Sequence, residues 1–582
     1  MFNFKSSSSQ DDELPVPGST IPSQPLGARL RKGVNGFYNT FFTRKGLIGE
    51  KGKIDYGYLF TPTIPFIGKE TAPPVFYGLH DEMPVFLAAI LGLQHALAMM
   101  GGLISSAFIF SSMANFDSET TTYLVSATLI GSGILSMIEI ARIRIPFTGF
   151  YMGTGLVSVL GVSFATIPVY ATTLNLMYKN GFCPVAEDGT QLPCPDAYGA
   201  FLATSSLCGL FNVVLAFSPR KWILKLFPAI VNGPVVVLIG LDLIHTGMRD
   251  WAGGAGCVGE MCGHGSRQYP WGDGRWIGLG FSVFVSIVIC EKWGPPFFKS
   301  CSIIFGLIVG CVVAAACGYF NHIPIDEARA GQFLWLHTFK LRIYAPIILP
   351  LFSVYMVGIM ETVGDIANTC EVSRLEVEGP IYESRIQGGI LATGFSSILS
   401  GLMTLCPMVS FSQNNGVISM TQCSTQLTGF YACFWLILMG VVGKFSASIV
   451  QIPKAVIGGM TTFLFTQVAV SGLRIIAMIK FTRRDRIVLT ASMMFGFAGE
   501  LVPDWFSNVI TYSGDNSALR GFCDAIEIIV SAGPAICGFV GVFFNLFFPQ
   551  MEDDAGSAPE AQELYGTEVP TPQDSMLIVA KD

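Results

Sequence analysis

The sequence predicts an all-α polytopic membrane protein with fourteen transmembrane segments in a seven-plus-seven inverted repeat. Three observations carry that prediction. Of 582 residues, 51% are hydrophobic and only 13% are charged, half the share of about 25% that soluble domains carry. Apolar runs of the roughly 20 residues needed to cross a hydrocarbon core recur along the chain. Two of those runs, the third and the tenth, are interrupted by Gly and polar residues at matching positions of the two halves. A mean hydropathy of +0.55 excludes a soluble enzyme, a disordered chain and a disulfide-rich secreted module.

In chain order the spans begin near Pro84, Tyr123, Tyr151, Tyr198, Phe227, Trp276 and Ser302. After a polar stretch from Asn321 to Arg342 they resume near Tyr344, Gly389, Asn414, Thr428, Val456, Ile487 and Phe522. Residues 1–80 read as an N-terminal tail, 81–549 as the membrane domain and 550–582 as an acidic C-terminal tail. The formal net charge of −7 resides in that last piece, where eight acids face Lys581 alone; the body balances 33 bases against 33 acids. No basic excess argues for nucleic acid.

Basic residues gather in cytoplasmic loops. Arg29, Arg31, Lys32, Arg44, Lys45, Lys51 and Lys53 place the N-terminal tail inside. Alternation then puts Arg142/Arg144, Arg220/Lys221/Lys225, Lys292/Lys299, Arg374/Arg385 and Lys480/Arg483/Arg484/Arg486 inside as well, with both termini cytoplasmic. Cys183/Cys194 and Cys257/Cys262 fall in two outside loops, where thiols oxidise. Two loops each holding a pair suggest local disulfides, with the connectivity open. Most of the other cysteines lie in apolar runs and act as small hydrophobes.

The interruptions fall at Thr148–Ile167, with Gly149, Gly153, Gly155 and Gly161, and at Leu405–Gln422, with Pro407 and the run Ser412-Gln413-Asn414-Asn415-Gly416. Irregular backbone at membrane depth survives only where protein or a water-filled cavity surrounds it. Each is therefore expected to break into half strand and half helix. Such a pair of broken segments points to the binding site of a transported solute.

Ionisable and amide side chains inside a membrane are costly and mark substrate or ion pathways. The first span carries Gln94 and His95; the eighth carries Glu361 and Asp365, spaced i,i+4 on one helix face. The tenth opens with Gln413, Asn414 and Asn415, followed by Ser419 and Thr421. A helix starting near Asn414 aims backbone N–H groups and a positive dipole end at the midplane. The Gln413 amide suits the paired N–H and C=O edges of a flat heterocycle. Glu361 can accept an N–H from the same ring and can take up a proton, the simplest coupling ion. Phe164 can stack on the ring face. Against these readings, His95 and Asp365 can be packed, hydrogen-bonded groups that tie helices together. The polar residues include no metal-ligand cluster and no nucleophile–base set, so neither a metal, nor a cofactor, nor an enzyme is expected.

Taken together, the motifs resemble the nucleobase–ascorbate transporter family, and most closely its fungal uric acid–xanthine permeases. The signature reads Gln413-Asn414-Asn415-Gly416-Val417-Ile418-Ser419-Met420-Thr421-Gln422. It is joined by Gly92-Leu93-Gln94-His95-Ala96-Leu97-Ala98-Met99, Glu361-Thr362-Val363-Gly364-Asp365, Ser373-Arg374-Leu375-Glu376-Val377, Ser384-Arg385-Ile386-Gln387-Gly388 and Phe481-Thr482-Arg483-Arg484. The likeness runs from about Gly46 to Pro549. It implies a core domain (spans 1–4 and 8–11) and a gate domain (spans 5–7 and 12–14). It also implies a homodimer, an elevator-like motion and proton-coupled uptake at the plasma membrane. A purine would meet Glu361 and Gln413 by hydrogen bonds and Phe164 by stacking. Ser412 would lie alongside through its backbone, and Asn414 would orient the site. Gln413 favours xanthine and uric acid.

Two positions depart from the family pattern. Gln422 stands where the purine permeases have Arg, and Thr393 where the family usually has Asp. The two changes remove one charge of each sign and are expected to compensate, altering specificity or affinity. They also leave open a purine-binding receptor without transport. An anion transporter of the sulfate-permease type should show a more cationic site than one holding Glu361 and Asp365. The acidic tail reads as disordered and cytoplasmic, either a solvated end or a contact for trafficking machinery.

Overall fold

The computed structural model describes residues 76–548 together with 47 and 61, leaving out 147–148, 188–189, 219–227, 255–256, 265–266, 320–324, 327–328, 378, 478, 480, 503–504, 507–508 and 510–516. Nearly all of the N-terminal tail, the acidic tail and the Arg220/Lys221/Lys225 and Lys480 positions lie outside the described residues.

Helix α1 (Val85–Met113) begins after Pro84, and its mean composition is apolar on every side, as expected of a helix enclosed by others. Helix α2 (Ser118–Ile140) is capped by Asp117, whose side chain accepts from Thr120 N, satisfying one of the free N–H groups of the first turn. After a short hairpin, β1 (Ile143–Arg144) with β2 (Tyr151–Met152), the chain forms β3 (Leu160–Val162) and α3 (Thr166–Lys179). Helices α4 (Pro195–Ala216) and α5 (Ala229–Trp251), hairpin β4 (Met261–His264) with β5 (Arg267–Pro270), and α6 (Gly274–Trp293), α7 (Pro296–Ser300) and α8 (Ser302–Ala316) complete the first half. The second half holds α9 (Ile348–Val372), α10 (Pro380–Leu402), β6 (Met408–Ser410), α11 (Gln413–Thr421), α12 (Gln426–Val441), α13 (Gly443–Val450), α14 (Lys454–Ala477), α15 (Arg483–Leu501), α16 (Ser517–Ser531) and α17 (Gly533–Phe547).

Helix α2 packs on α12, α4 on α10, α5 on α14 and α15 on α17. Met99, Leu103, Leu124, Leu129, Phe201 and Phe465 are fully enclosed among them. Large apolar side chains such as Val214, Val312, Leu501, Phe543 and Phe547 face outward, where a lipid surface solvates them better than water does.

Among the described residues, seven helices are long and apolar enough to cross a membrane: α1, α2, α4, α5, α6, the stretch Ala345–Val372, and α14. Helices α8 and α12 are apolar but only 15 and 16 residues long. The segment expected from Phe522 onward is not one helix. Its two pieces, Ala525–Ser531 and Gly533–Phe547, bend by 95° at Ala532, whose backbone is extended; Pro534, which has no N–H, is tolerated in the first turn of the second piece but not inside one continuous helix. Arg385 is likewise not a loop charge. Helix α10 starts at Pro380, nine residues before the expected Gly389, and buries Arg385, whose Nη1 donates to Thr154 O at 2.8 Å.

Candidate functional site

The two interrupted stretches meet at the centre of the fold. Strands β3 and β6 pair antiparallel, Leu160 with Ser410, Gly161 with Val409 and Val162 with Met408. Phe411 N donates to Val159 O and Ser163 N to Pro407 O, both at 2.9 Å. Ser136 Oγ accepts Leu160 N at 2.8 Å, and Ser132 Oγ donates to Leu160 O at 2.5 Å. Short as they are, the strands leave these backbone groups paired, which a low-dielectric setting demands. Each strand then runs into a helix, α3 or α11.

Close approach at this crossing depends on a missing side chain. A Cβ on Gly161 would lie 2.3 Å from the Phe411 ring, so only glycine lets that ring lie across the strand. Phe411 in turn stacks on Phe164, with centroids 5.6 Å apart and planes 19° apart, and Phe465 meets Phe164 edge-on at 5.4 Å. Phe164 is thus buried among aromatic rings.

The first two asparagines of α11 anchor it to different helices. Asn414 Nδ2 donates to Val157 O, so its Oδ1 is the acceptor and His95 Nδ1, 2.6 Å away, carries the hydrogen. That tautomer leaves His95 Nε2 as an acceptor; like both amide atoms of Gln94, it is buried with no partner among the described residues. Asn415 Nδ2 donates to Asp365 Oδ1 at 2.6 Å, and Thr369 Oγ1 lies 2.6 Å from Asn415 Oδ1. His95 and Asp365 therefore both act as ties between a full helix and the half helix.

Beside these anchored residues lies a more open face. Glu361 and Gln413 are half-buried and Ser412 is exposed. Neither the Glu361 carboxyl nor the Gln413 amide has a hydrogen-bond partner among the described residues. Gly364 and Gly416, one on each of the same two helices, border open space. Paired acceptors and donors left unengaged beside an open face can receive a polar planar ligand.

The remaining predicted positions lie apart from this network. Thr421 is buried and its hydroxyl donates within its own helix to Val417 O. Gln422 ends α11 in a left-handed conformation, φ 53°. Its Oε1 accepts from Arg374 Nη2 at 3.1 Å, so a cation does reach this position. Thr393 is buried on α10 with its hydroxyl unpartnered among the described residues. Cys183 is bonded to Cys194, and Cys257 to Cys262. Among the described residues no group of three or more His, Cys, Asp or Glu is placed to hold a metal ion.

Sequence reasoning missed Glu139 in α2, whose carboxyl is fully buried with both oxygens unpartnered among the described residues. The signal was a lone acid in the apolar run Leu135–Ile140, masked by the nearby basic loop. Asn415 stands out in the sequence only as one of the polar residues opening the tenth span; its pairing with Asp365 is visible only in the fold.

A polar network hung between paired strands and a short helix, inside a bundle of apolar helices, is what a membrane transporter needs to hold a polar solute at membrane depth. Residues 87–505 match the model of a permease family, and the chain belongs to it, the nucleobase–ascorbate transporter family that its motifs resemble. The chain is 50% identical over 553 residues to a purine permease of Emericella nidulans, covering 93% of this chain and 94% of that protein. It is 48% identical over 545 residues to the uric acid-xanthine permease of the same organism, with the same coverage. Among solved structures, murine solute carrier 26 family member A9, an anion transporter in the inward-facing state, shares the fold at a TM-score of 0.52. The two are 11% identical, with 80% of this chain and 72% of that one covered.

Proposed function

We propose that this permease takes up oxidised purines, xanthine and uric acid, across the plasma membrane in symport with protons. The observation that carries the reading is the near-full-length identity of about half to a purine permease and a uric acid-xanthine permease. The unengaged Glu361 carboxyl and Gln413 amide support it: a carboxylate accepts a ring N–H, and an amide matches an N–H/C=O edge. Ser412 would contribute backbone, Phe164 a ring face, and Asn414, held by His95, the orientation of the half helix. Glu361 and Asp365 are the carboxyls offered for proton coupling.

The core of spans 1–4 and 8–11 would move against the gate of spans 5–7 and 12–14 within a homodimer, carrying the site from one side to the other. Thr393 and Gln422 would tune which purine is preferred, with Arg374 supplying charge near Gln422. Uptake of labelled xanthine and uric acid in a host lacking its own purine permeases tests the reading. Saturable uptake that collapses when the proton gradient is dissipated is the expected result. Absence of saturable uptake of any purine refutes it, and binding without uptake would instead indicate a receptor.

A further inference from the structure

Glu139 is a fully buried acid that this mechanism leaves unused. It stands in the last turn of α2, fully buried, and neither carboxyl oxygen has a hydrogen-bond partner among the described residues. Its backbone is held firmly: Thr154 N donates to Glu139 O at 2.8 Å. Its side chain reaches the surface of α10, where a Cβ on Gly389 would lie 3.3 Å from Oε1, so that glycine is what leaves room for the carboxyl.

The charged groups around it are few. Asp365 stands on α9 next to Ile366, whose Cδ1 borders the same Gly389 position as the Glu139 carboxyl, 2.5 Å from where its Cβ would be. Arg385, on α10, donates to Thr154 O, and Arg142, beyond the end of α2, donates to Ser384 Oγ at 3.1 Å and lies over the Tyr151 ring. Neither guanidinium bonds the Glu139 oxygens. Helix α12, packed along α2, contributes no Asp, Glu, Lys, Arg or His.

An ionised carboxylate stripped of water and given no donor is prohibitively costly, and the group keeps its proton instead. Asp365 is buried as well, but the Asn415 amide donates to it, and that hydrogen bond favours its charged form. Two acids in mutual range whose surroundings differ in this way divide the roles of proton holder and charge holder.

We propose that Glu139 is a further proton-binding carboxyl of this protein, and that it and Asp365 hold one proton between them. In the conformation described, the proton is on Glu139. When α11 shifts and Asn415 leaves Asp365, the O–H bond at Glu139 breaks and one forms at Asp365. The negative charge passes the other way, and the pair keeps a net charge of −1. The tie between α9 and α11 and the position of the proton thereby become one switch. The role in uptake rests on the proposed purine symport; the proton on Glu139 does not.

Infrared spectroscopy of the purified full-length protein in lipid vesicles, read in the carboxylic-acid C=O region near neutral pH, tests the proton directly. A band lost in Glu139→Gln and still present in Asp365→Asn is expected. A spectrum that Glu139→Gln leaves unchanged overturns the proposal. Vesicle uptake of labelled xanthine against external pH tests the sharing: Glu139→Gln should lose the wild-type pH dependence while equilibrium xanthine binding persists. A pH profile identical to wild type overturns it. Should the Gln variant fail to fold, Glu139→Asp keeps the titrating group and is expected to displace the band, with an unmoved band counting against the proposal. Wild-type protein that carries no purine would refute the symport reading while the infrared result still decides Glu139.

Discussion

The side-chain amide of Asn415 donates to the Asp365 carboxylate at 2.6 Å, joining the half helix α11 to the full helix α9. The donor and acceptor lie 50 residues apart, and the carboxylate is buried. Removing one partner of such a pair costs the desolvation of the other, which exceeds what the hydrogen bond contributes when made.

Asn415→Ala should therefore destabilise the protein by about 1–3 kcal/mol, with Asp365→Asn milder because the neutral amide tolerates burial. Thermal unfolding of the detergent-solubilised variants checks the order. A more stable Asn415→Ala protein would show that the contact is not maintained.

Glu361→Gln keeps the shape of the side chain but removes its charge and its proton. A hydrogen bond to a charged group contributes about 1.5–3 kcal/mol, so purine uptake should fall by one to two orders of magnitude or be abolished, with surface expression retained. Normal proton-driven uptake would remove Glu361 from the site.

Gln413→Glu exchanges a group that both donates and accepts for one that only accepts. The ranking of unlabelled purines and pyrimidines competing against labelled xanthine should shift away from oxidised purines. An unchanged ranking would argue that Gln413 does not touch the ligand.

Gly161→Ala would drive a methyl group into the Phe411 ring. Overpacking of this kind costs about 1–3 kcal/mol, and relief requires Phe411 to leave its stack on Phe164. Lower stability together with weaker purine binding is expected, measured by unfolding and by equilibrium binding. Wild-type values for both would show that the strand crossing is looser than its geometry.

The bond between Cys183 and Cys194 closes a separation of 11 residues. Restricting the unfolded chain over a loop of this size contributes about 3 kcal/mol in the chain-entropy account. Cys194→Ser should lower the unfolding temperature, and reductant should lower that of the parent by more than that of the variant, which keeps the Cys257–Cys262 bond.

Much of the architecture was legible because it follows from solubility. A low share of charge, repeated apolar runs and loops that collect Lys and Arg already require helices in a membrane. Gly, Pro and amide residues at Thr148–Ile167 and Leu405–Gln422 marked where backbone regularity ends, and the tied residues His95, Asp365 and Asn414 were among those singled out. Burial was the part that linear order concealed. Arg385 looked like a loop charge until α10 began nine residues early, and Glu139, close to the Arg142/Arg144 loop, is enclosed only because the fold closes over it.

By itself, the sequence determined the class of protein, the polar residues among its apolar runs and the two stretches where Gly, Pro and amide residues gather, because each is a property of residue type and spacing. Only the tertiary structure decided that β3 pairs with β6, and that Asn414 and Asn415 reach His95 and Asp365. These are contacts between residues tens to hundreds of positions apart. They are fixed by packing and by the need to pair every buried polar group, conditions that no local window of the chain contains.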